Sequence, residues 1–183
     1  MGFEIEKKYL LHEDGQNHVT AAMQEKFSSP DHLRDIVLRE GSKIRQGYLP
    51  IEQGMEIASI IGLNIDFKPT EARLRDKSGS FYLTLKSEGR LTRHESPDAE
   101  VSPVIFELYW PYAKRRVEKV RLEENVAGSN TEIDVYMARN LIIAEVEVAT
   151  KEIATRLVPL GLDVTDDSRY KNAALAEFPS EKK

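Results

Sequence analysis

Polar and apolar residues alternate with a period of two through most of this chain. In EIEKKYL, residues 4–10, an extended backbone puts Glu4, Glu6 and Lys8 on one face and Ile5, Lys7 and Tyr9 on the other. The same period predicts strands at SKIRQGYL (42–49), EARLRDK (71–77), SFYLTLKSEG (80–89) and GRLTRHES (89–96). It continues at RRVEKVRLEEN (115–125), TEIDVYM (131–137) and LIIAEVEVAT (141–150). Turn clusters punctuate the series at HEDGQ (12–16), Ser78-Gly79, NVAGSN (125–130) and MARN (137–140).

A helical period appears elsewhere. Val19, Met23 and Phe27 recur four apart in HVTAAMQEKF, and SSPDHLRDIVLREG carries Ser29 as N-cap, Pro30 in the first turn and Gly41 as the stop. Ser102 and Pro103 open a short helix that should end near Pro111, KEIATRLVPLG (151–161) is helical, and a last short helix is expected after an Asp166 or Asp167 N-cap. Residues 50–69 carry a mixed pattern with room for a short strand or helix. Strands that follow one another without intervening helices point to a mainly antiparallel β fold with helices, an α+β sheet or barrel, rather than parallel βαβ winding. One domain over 1–178 is expected, with a disordered tail at 179–183.

Composition narrows the chemistry. The 183 residues include no cysteine, which excludes disulfides, thiolate nucleophiles and zinc-thiolate sites. A net charge of -5 argues against a general nucleic-acid or membrane-surface binder while leaving room for a local basic pocket. With no leader pattern and no long apolar run, a cytoplasmic location is the expectation. GSKIRQG lacks the order of a phosphate-binding P-loop, and His12, His18, His32 and His94 have no metal-ligand spacing. Trp110, with Phe106 and Tyr109, is expected to pack a helix onto the sheet rather than to stack a base.

The polar faces carry the stronger signal. One face of an antiparallel sheet meeting water would also alternate, but such faces mix hydroxyls, amides and both charge signs. Here Arg73 and Arg75 share a face, as do Lys119 and Arg121, while Glu132 with Asp134 and Glu145 with Glu147 form acidic pairs. Like charges two apart repel, so a compensating ligand is implied. Converging guanidinium and ammonium groups suit a polyanion, and paired carboxylates beside it suit a hard divalent cation. Metal-assisted phosphoryl transfer or hydrolysis meets both requirements.

EIEKKYL resembles the E-x-E-x-K signature of the CYTH family, the triphosphate tunnel metalloenzymes. IRQGYL, ARLR, YLTLKSEG, RRVEKVRL, EID, AEVEV and VTDDSRYKNAAL resemble further blocks of that family in the same order, across nearly the whole chain. RYKN and LKSEG look most like the bacterial inorganic triphosphatase branch. The resemblance implies a closed eight-stranded β-barrel around a tunnel, with helices outside, hydrolysing a triphosphate with Mg²⁺ or Mn²⁺. Carried over by residue, Glu4, Glu6, Glu145 and Glu147 would hold the metal. Lys8, Arg45, Arg73, Arg75, Lys86, Arg93, Lys119, Arg121 and Lys171 would bind the phosphate chain. Glu6, Glu132 and Asp134 would serve catalysis, the latter two by orienting water or holding a second metal.

The implied partner is a small-molecule triphosphate, inorganic tripolyphosphate first, with no nucleic acid or membrane and with a homodimer left open. An adenylyl cyclase, a thiamine triphosphatase and a non-catalytic polyphosphate- or nucleotide-binding module stand as alternatives. One departure falls after Arg93 and Glu95: the family's second acid is replaced by Pro97, with Asp98 next, which would end that strand early and displace Glu95.

Overall fold

The alternating stretches form strands. The computed structural model describes residues 2–88 and 92–176, so the expected tail and the first three residues of GRLTRHES lie outside the described residues. In chain order come β1 (Gly2–Glu13), β2 (Gln16–Asn17), α1 (Ala21–Gln24), α2 (Pro30–Glu40), β3 (Ser42–Leu49) and α3 (Ile51–Ile60). Then follow β4 (Glu71–Lys77), β5 (Ser80–Lys86), β6 (Thr92–Glu95), β7 (Ala99–Glu100) and α4 (Pro103–Tyr109). The chain continues with β8 (Arg115–Val126), β9 (Ser129–Tyr136), β10 (Leu141–Glu147), α5 (Lys151–Arg156), β11 (Leu162–Asp163) and α6 (Asn172–Leu175).

Local chemistry accounts for most boundaries. Ser29 accepts a hydrogen bond from the His32 amide and Ser102 from the Ile105 amide, each ahead of a helix that opens on proline. The Ser78-Gly79 turn has positive φ at both residues (53° and 91°), which matches a tight hairpin turn between β4 and β5. The mixed stretch after Pro50 resolves into α3. Two expectations change: α5 stops at Arg156, and Asp167 caps the 3-10 turn Ser168–Tyr170 by accepting from the Arg169 amide, whereas α6 has no side-chain cap.

All the strand pairings are antiparallel, in the order β10-β9-β8-β3-β4-β5-β6-β1-β11. β1 is paired along both edges: Glu6 to Glu13 run beside β10, and Gly2 to Ile5 lie against β6 on the opposite edge. The thinnest step is β5 to β6, where Lys86 pairs with Glu95.

Two apolar layers coat the outer face of this sheet. Leu11, Val120, Leu122, Ile133, Val135, Ile142 and Val146 pack with Met23, Phe27, Leu33 and Val37 of the first two helices and the segment joining them. Leu74, Leu83 and Leu85 pack under α3 and α4, with Phe106 and Trp110 joining them as the sequence suggested. Gly54 lets α3 rest directly on β4, since a Cβ there would lie 2.4 Å from the Ala72 Cβ. A third cluster joins Leu10, Tyr48, Val117, Tyr136, Leu141 and Ile143 with Val164, Tyr170 and Leu175 of the C-terminal segment. These strand residues continue the faces that carry the charges: Glu6, Lys8 and Leu10 share one face of β1. The charged face is therefore charged for only part of its length, and the C-terminal segment fills the rest.

Candidate functional site

The remaining part of that face surrounds a cavity of about 430 Å³. Its basic wall comes from Arg73 and Arg75 on β4, Lys86 on β5 and Arg93 on β6. Facing it are Lys119 and Arg121 on β8, Glu132 on β9, Glu145 and Glu147 on β10, and Glu6 on β1. Strand alternation thus delivers ten of the expected residues to one place.

Opposite charges interlock across the second wall. Arg121 donates to both Asp134 oxygens, at 2.7 Å from Nε and 2.6 Å from Nη2, to Glu145 at 2.7 Å and to Glu132. Lys119 Nζ lies 2.5 Å from Asp134, and Lys8 Nζ lies 2.7 Å from Glu145 and 3.5 Å from Glu6. Burial works against ionising Glu145 and Asp134, but the cations beside them outweigh it and hold both carboxyls below the usual range. Glu132 goes the other way: burial first, then Glu145 and Asp134, push it up against the pull of Arg121.

Asp134 supports two cations at once. Burial and the neighbouring Arg121 push the Lys119 ammonium down to about 8, against the opposing pull of Asp134 and Glu145. If Lys119 meets an anionic substrate as an ammonium, kcat/KM should fall as pH rises through about 8. Lys119→Arg should move that limb upward, and an unmoved limb would assign it to another group.

The first wall is held more loosely. Lys86 pairs with Glu95 at 2.8 Å, but Arg73 lies 3.6 Å from Glu95 and from Asp98, and Arg75 lies 3.4 Å from Asp98. Arg73 is 7% exposed, and Nε of both arginines is buried with no hydrogen-bond partner among the described residues. Burial, then Arg73, pushes Arg75 down to about 10, only partly offset by Asp98. Burial works to lower Arg73 as well, but Tyr48, Glu95, Asp98 and Glu71 outweigh it and raise that guanidinium, so the shortage of negative charge falls on Arg75.

Several expected residues lie elsewhere. Arg45 is a correction: Ile44 and Gln46 line the cavity, so Arg45 points to the outer face. There it pairs with Asp76 at 2.9 Å and lies over the Phe106 and Trp110 rings. Asp134 is fully buried behind Arg121 and Lys119 and does not line the cavity, so it is placed to position those two cations. Lys8 and Lys171 line a small recess that shares Glu6, Arg73, Arg93 and Asn172 with the cavity wall. The Glu4 side chain lies outside the described residues, although its backbone pairs with Arg93.

Pro97 does end β6 at Glu95, but Glu95 keeps its place on Lys86 rather than being displaced. Gln46, Asp98 and Asn172 also line the cavity without having been expected there. Asn172 takes hydrogen bonds from Tyr136 Oη at 2.5 Å and Lys119 at 3.3 Å, and donates to Glu145 at 3.4 Å. RYKN was the available signal for Asn172, but its partners come from β8, β9 and β10.

Among the described residues no group of three or more histidine or carboxylate side chains is gathered into a metal cage. A hard cation that also binds substrate phosphates needs only one or two protein carboxylates. Glu6 and Glu147 pair in register on adjacent strands and both line the cavity, so the donor set fits. Glu145, two residues from Glu147, has its oxygens on Lys8 and Arg121.

No protein-family model matches the chain. It is 39% identical over 113 residues to an inorganic triphosphatase of Nitrosomonas europaea, covering 58% of this chain and 74% of that protein. A crystal structure of an inorganic triphosphatase superposes with a TM-score of 0.53 at 28% identity, over 96% of this chain and 95% of that one. The crystal structure of a hypothetical protein gives 0.52 at 29% identity, over 96% and 99%. Among the described residues no helix is long and apolar enough to cross a membrane.

Proposed function

The chain belongs to the CYTH family, in its bacterial inorganic triphosphatase branch, and is a triphosphatase; on that premise we propose that it removes the terminal phosphate of inorganic tripolyphosphate in the charged cavity, with Mg²⁺ or Mn²⁺ as cofactor. The observation that carries the substrate assignment is the Arg73–Arg75 pair, which lines the cavity with long ion pairs and buried Nε groups that lack partners among the described residues. A phosphate chain supplies the charge that Arg75 lacks and the oxygens that guanidinium forks match. Lys86, Arg93 and Lys119 extend the basic surface along the chain, and Lys171 meets it from the recess.

Glu6 and Glu147, with Glu4 two positions along β1, are the residues to hold the cation, while Glu145 beside them keeps its oxygens on Lys8 and Arg121. When bound, the cation supplies charge stabilisation at the phosphoryl oxygens. Glu132 is the residue to accept a proton from the attacking water: it lines the cavity, its side chain is 41% exposed, and burial pushes its carboxyl up from the ordinary value. Arg121, steadied by Asp134, offsets charge that develops as the phosphoanhydride breaks. We further infer that the sheet works as a closed eight-stranded barrel, a reading supported by the pairing of β1 along both edges.

Phosphate release from tripolyphosphate, ATP and thiamine triphosphate, each with Mg²⁺, Mn²⁺ or excess EDTA, tests the proposal. Turnover should be highest with tripolyphosphate and lost in EDTA, and Glu6→Gln should abolish metal-dependent turnover while the fold survives. Full activity in EDTA would overturn the metal assignment. Cyclic AMP as the main product from ATP would favour the cyclase instead.

A further inference from the structure

Asp98 stands outside the expected site, and a local irregularity brings it there. Between β5 and the strands opposite, Lys86 pairs with Glu95 but Leu83 pairs with Ala99, so three steps along β5 face four on the other side. The extra residue is a β-bulge, a device that re-aims side chains beside functional sites. Ser96 anchors it: its amide donates to the Leu85 carbonyl and its hydroxyl accepts from the Leu85 amide, both at 2.9 Å. Pro97, with no N–H, occupies the unpaired position. The shift sets Asp98 across from Thr84, whose hydroxyl donates to it at 2.5 Å.

The Asp98 carboxylate therefore rests on Arg73 and Arg75, at 3.6 and 3.4 Å. The Lys119–Asp134, Arg121–Glu145 and Lys86–Glu95 pairs are closer, at 2.5, 2.7 and 2.8 Å. Its side chain is 40% exposed, against 0% for Asp134 and 6% for Glu145. A carboxylate that is half in water and bonded loosely to two cations can be displaced by a better anion, whereas Asp134 and Glu145 are locked in place.

We propose that Asp98 is the resident counter-ion of the Arg73–Arg75 clamp, displaced by an incoming phosphate chain and returning to help expel the product. This rests on the triphosphatase reading of the cavity and assigns the residue that sets how tightly phosphate is held there. Hydrolysis leaves two smaller anions, each able to stay on the arginines. A tethered carboxylate competes with both, so every phosphate bound at the clamp is held less tightly than the bare pair would hold it.

Calorimetric titration with pyrophosphate, which needs no turnover, tests this directly in wild type, Asp98→Asn and Asp98→Glu. Asp98→Asn should bind pyrophosphate about tenfold more tightly, by removal of the competing state, with a lower KM for tripolyphosphate and stronger product inhibition. Asp98→Glu should return towards wild type, because the charge is restored. Asp98→Ser, with the same expected tightening, stands in if Asp98→Asn fails to fold. Unchanged or weaker pyrophosphate binding in a folded, uncharged variant would overturn the proposal and make Asp98 a support for the arginines. Failure of wild type to bind pyrophosphate would also overturn it. Pyrophosphate binding that tightens as expected, in a protein that does not hydrolyse tripolyphosphate, would sink the reaction while leaving the counter-ion in place.

Discussion

Asp134→Ala should lose about 3–5 kcal/mol of stability, the usual cost of removing one partner from a buried ion pair. The carboxylate is fully buried and carries three close contacts, two from Arg121 and one from Lys119. Its removal leaves two nearly dry cations facing each other with Glu145 as the main remaining countercharge. Urea unfolding at neutral pH measures the loss, and a change below about 1 kcal/mol would show that the exposed Glu132 can replace Asp134.

The sign of the pH dependence follows from the same contacts. Burial works to raise the Asp134 carboxyl, but Arg121 and Lys119 together hold it below its ordinary value. Its contribution is therefore present above the unfolded carboxyl range, near pH 4, and is lost as pH falls through the lower folded value. Wild type should weaken through that window, and Asp134→Ala should weaken less steeply. Activity should fall with the same substitution although Asp134 does not line the cavity, because Arg121 and Lys119 lose their anchor.

Arg73→Ala should lower kcat/KM for tripolyphosphate by about 10²–10³, the scale of removing one preorganised charge-stabilising donor. Stability should change far less than in Asp134→Ala. Among the described residues Arg73 makes two long ion pairs and one hydrogen bond to Thr84 at 3.1 Å, and Lys86 still neutralises Glu95 when it is gone. Arg73→Lys should recover only part of the loss, because a single ammonium cannot fork across two phosphate oxygens. Steady-state kinetics beside a thermal melt separates the two effects. A variant within about threefold of wild type would place the phosphate chain on the opposite wall instead.

Much of the site can be read along individual strands. Arg73 with Arg75, Glu145 with Glu147 and Lys119 with Arg121 occur two apart, and a strand must project such pairs to one face whatever surrounds it. The same rule, applied to β3, puts Ile44 and Gln46 inward and Arg45 outward, so the block-level resemblance was less informative there than the phase of alternation. Asp98 escapes a strand-by-strand reading because the bulge at Ser96 and Pro97 changes the phase, and the hydrogen bonds that create it come from Leu85 on another strand. Asn172 lies far along the chain from the strands that it ties together.

Local sequence is enough to set the faces: which residues travel together on each strand, where α2 and α4 open, and that carboxylates and cations are too concentrated for an idle surface. Those properties follow from the local geometry of an extended backbone and need no neighbour. Distances between strands set which charges neutralise one another, sealing Asp134 between two cations while leaving Arg73 and Arg75 with only long ion pairs to Glu95 and Asp98. The tertiary structure also decided that the apolar half of the same face is filled by the C-terminal segment. Ion pairing, desolvation and filling depend on distances through space between strands remote in the chain, and alternation along one strand carries no information about them.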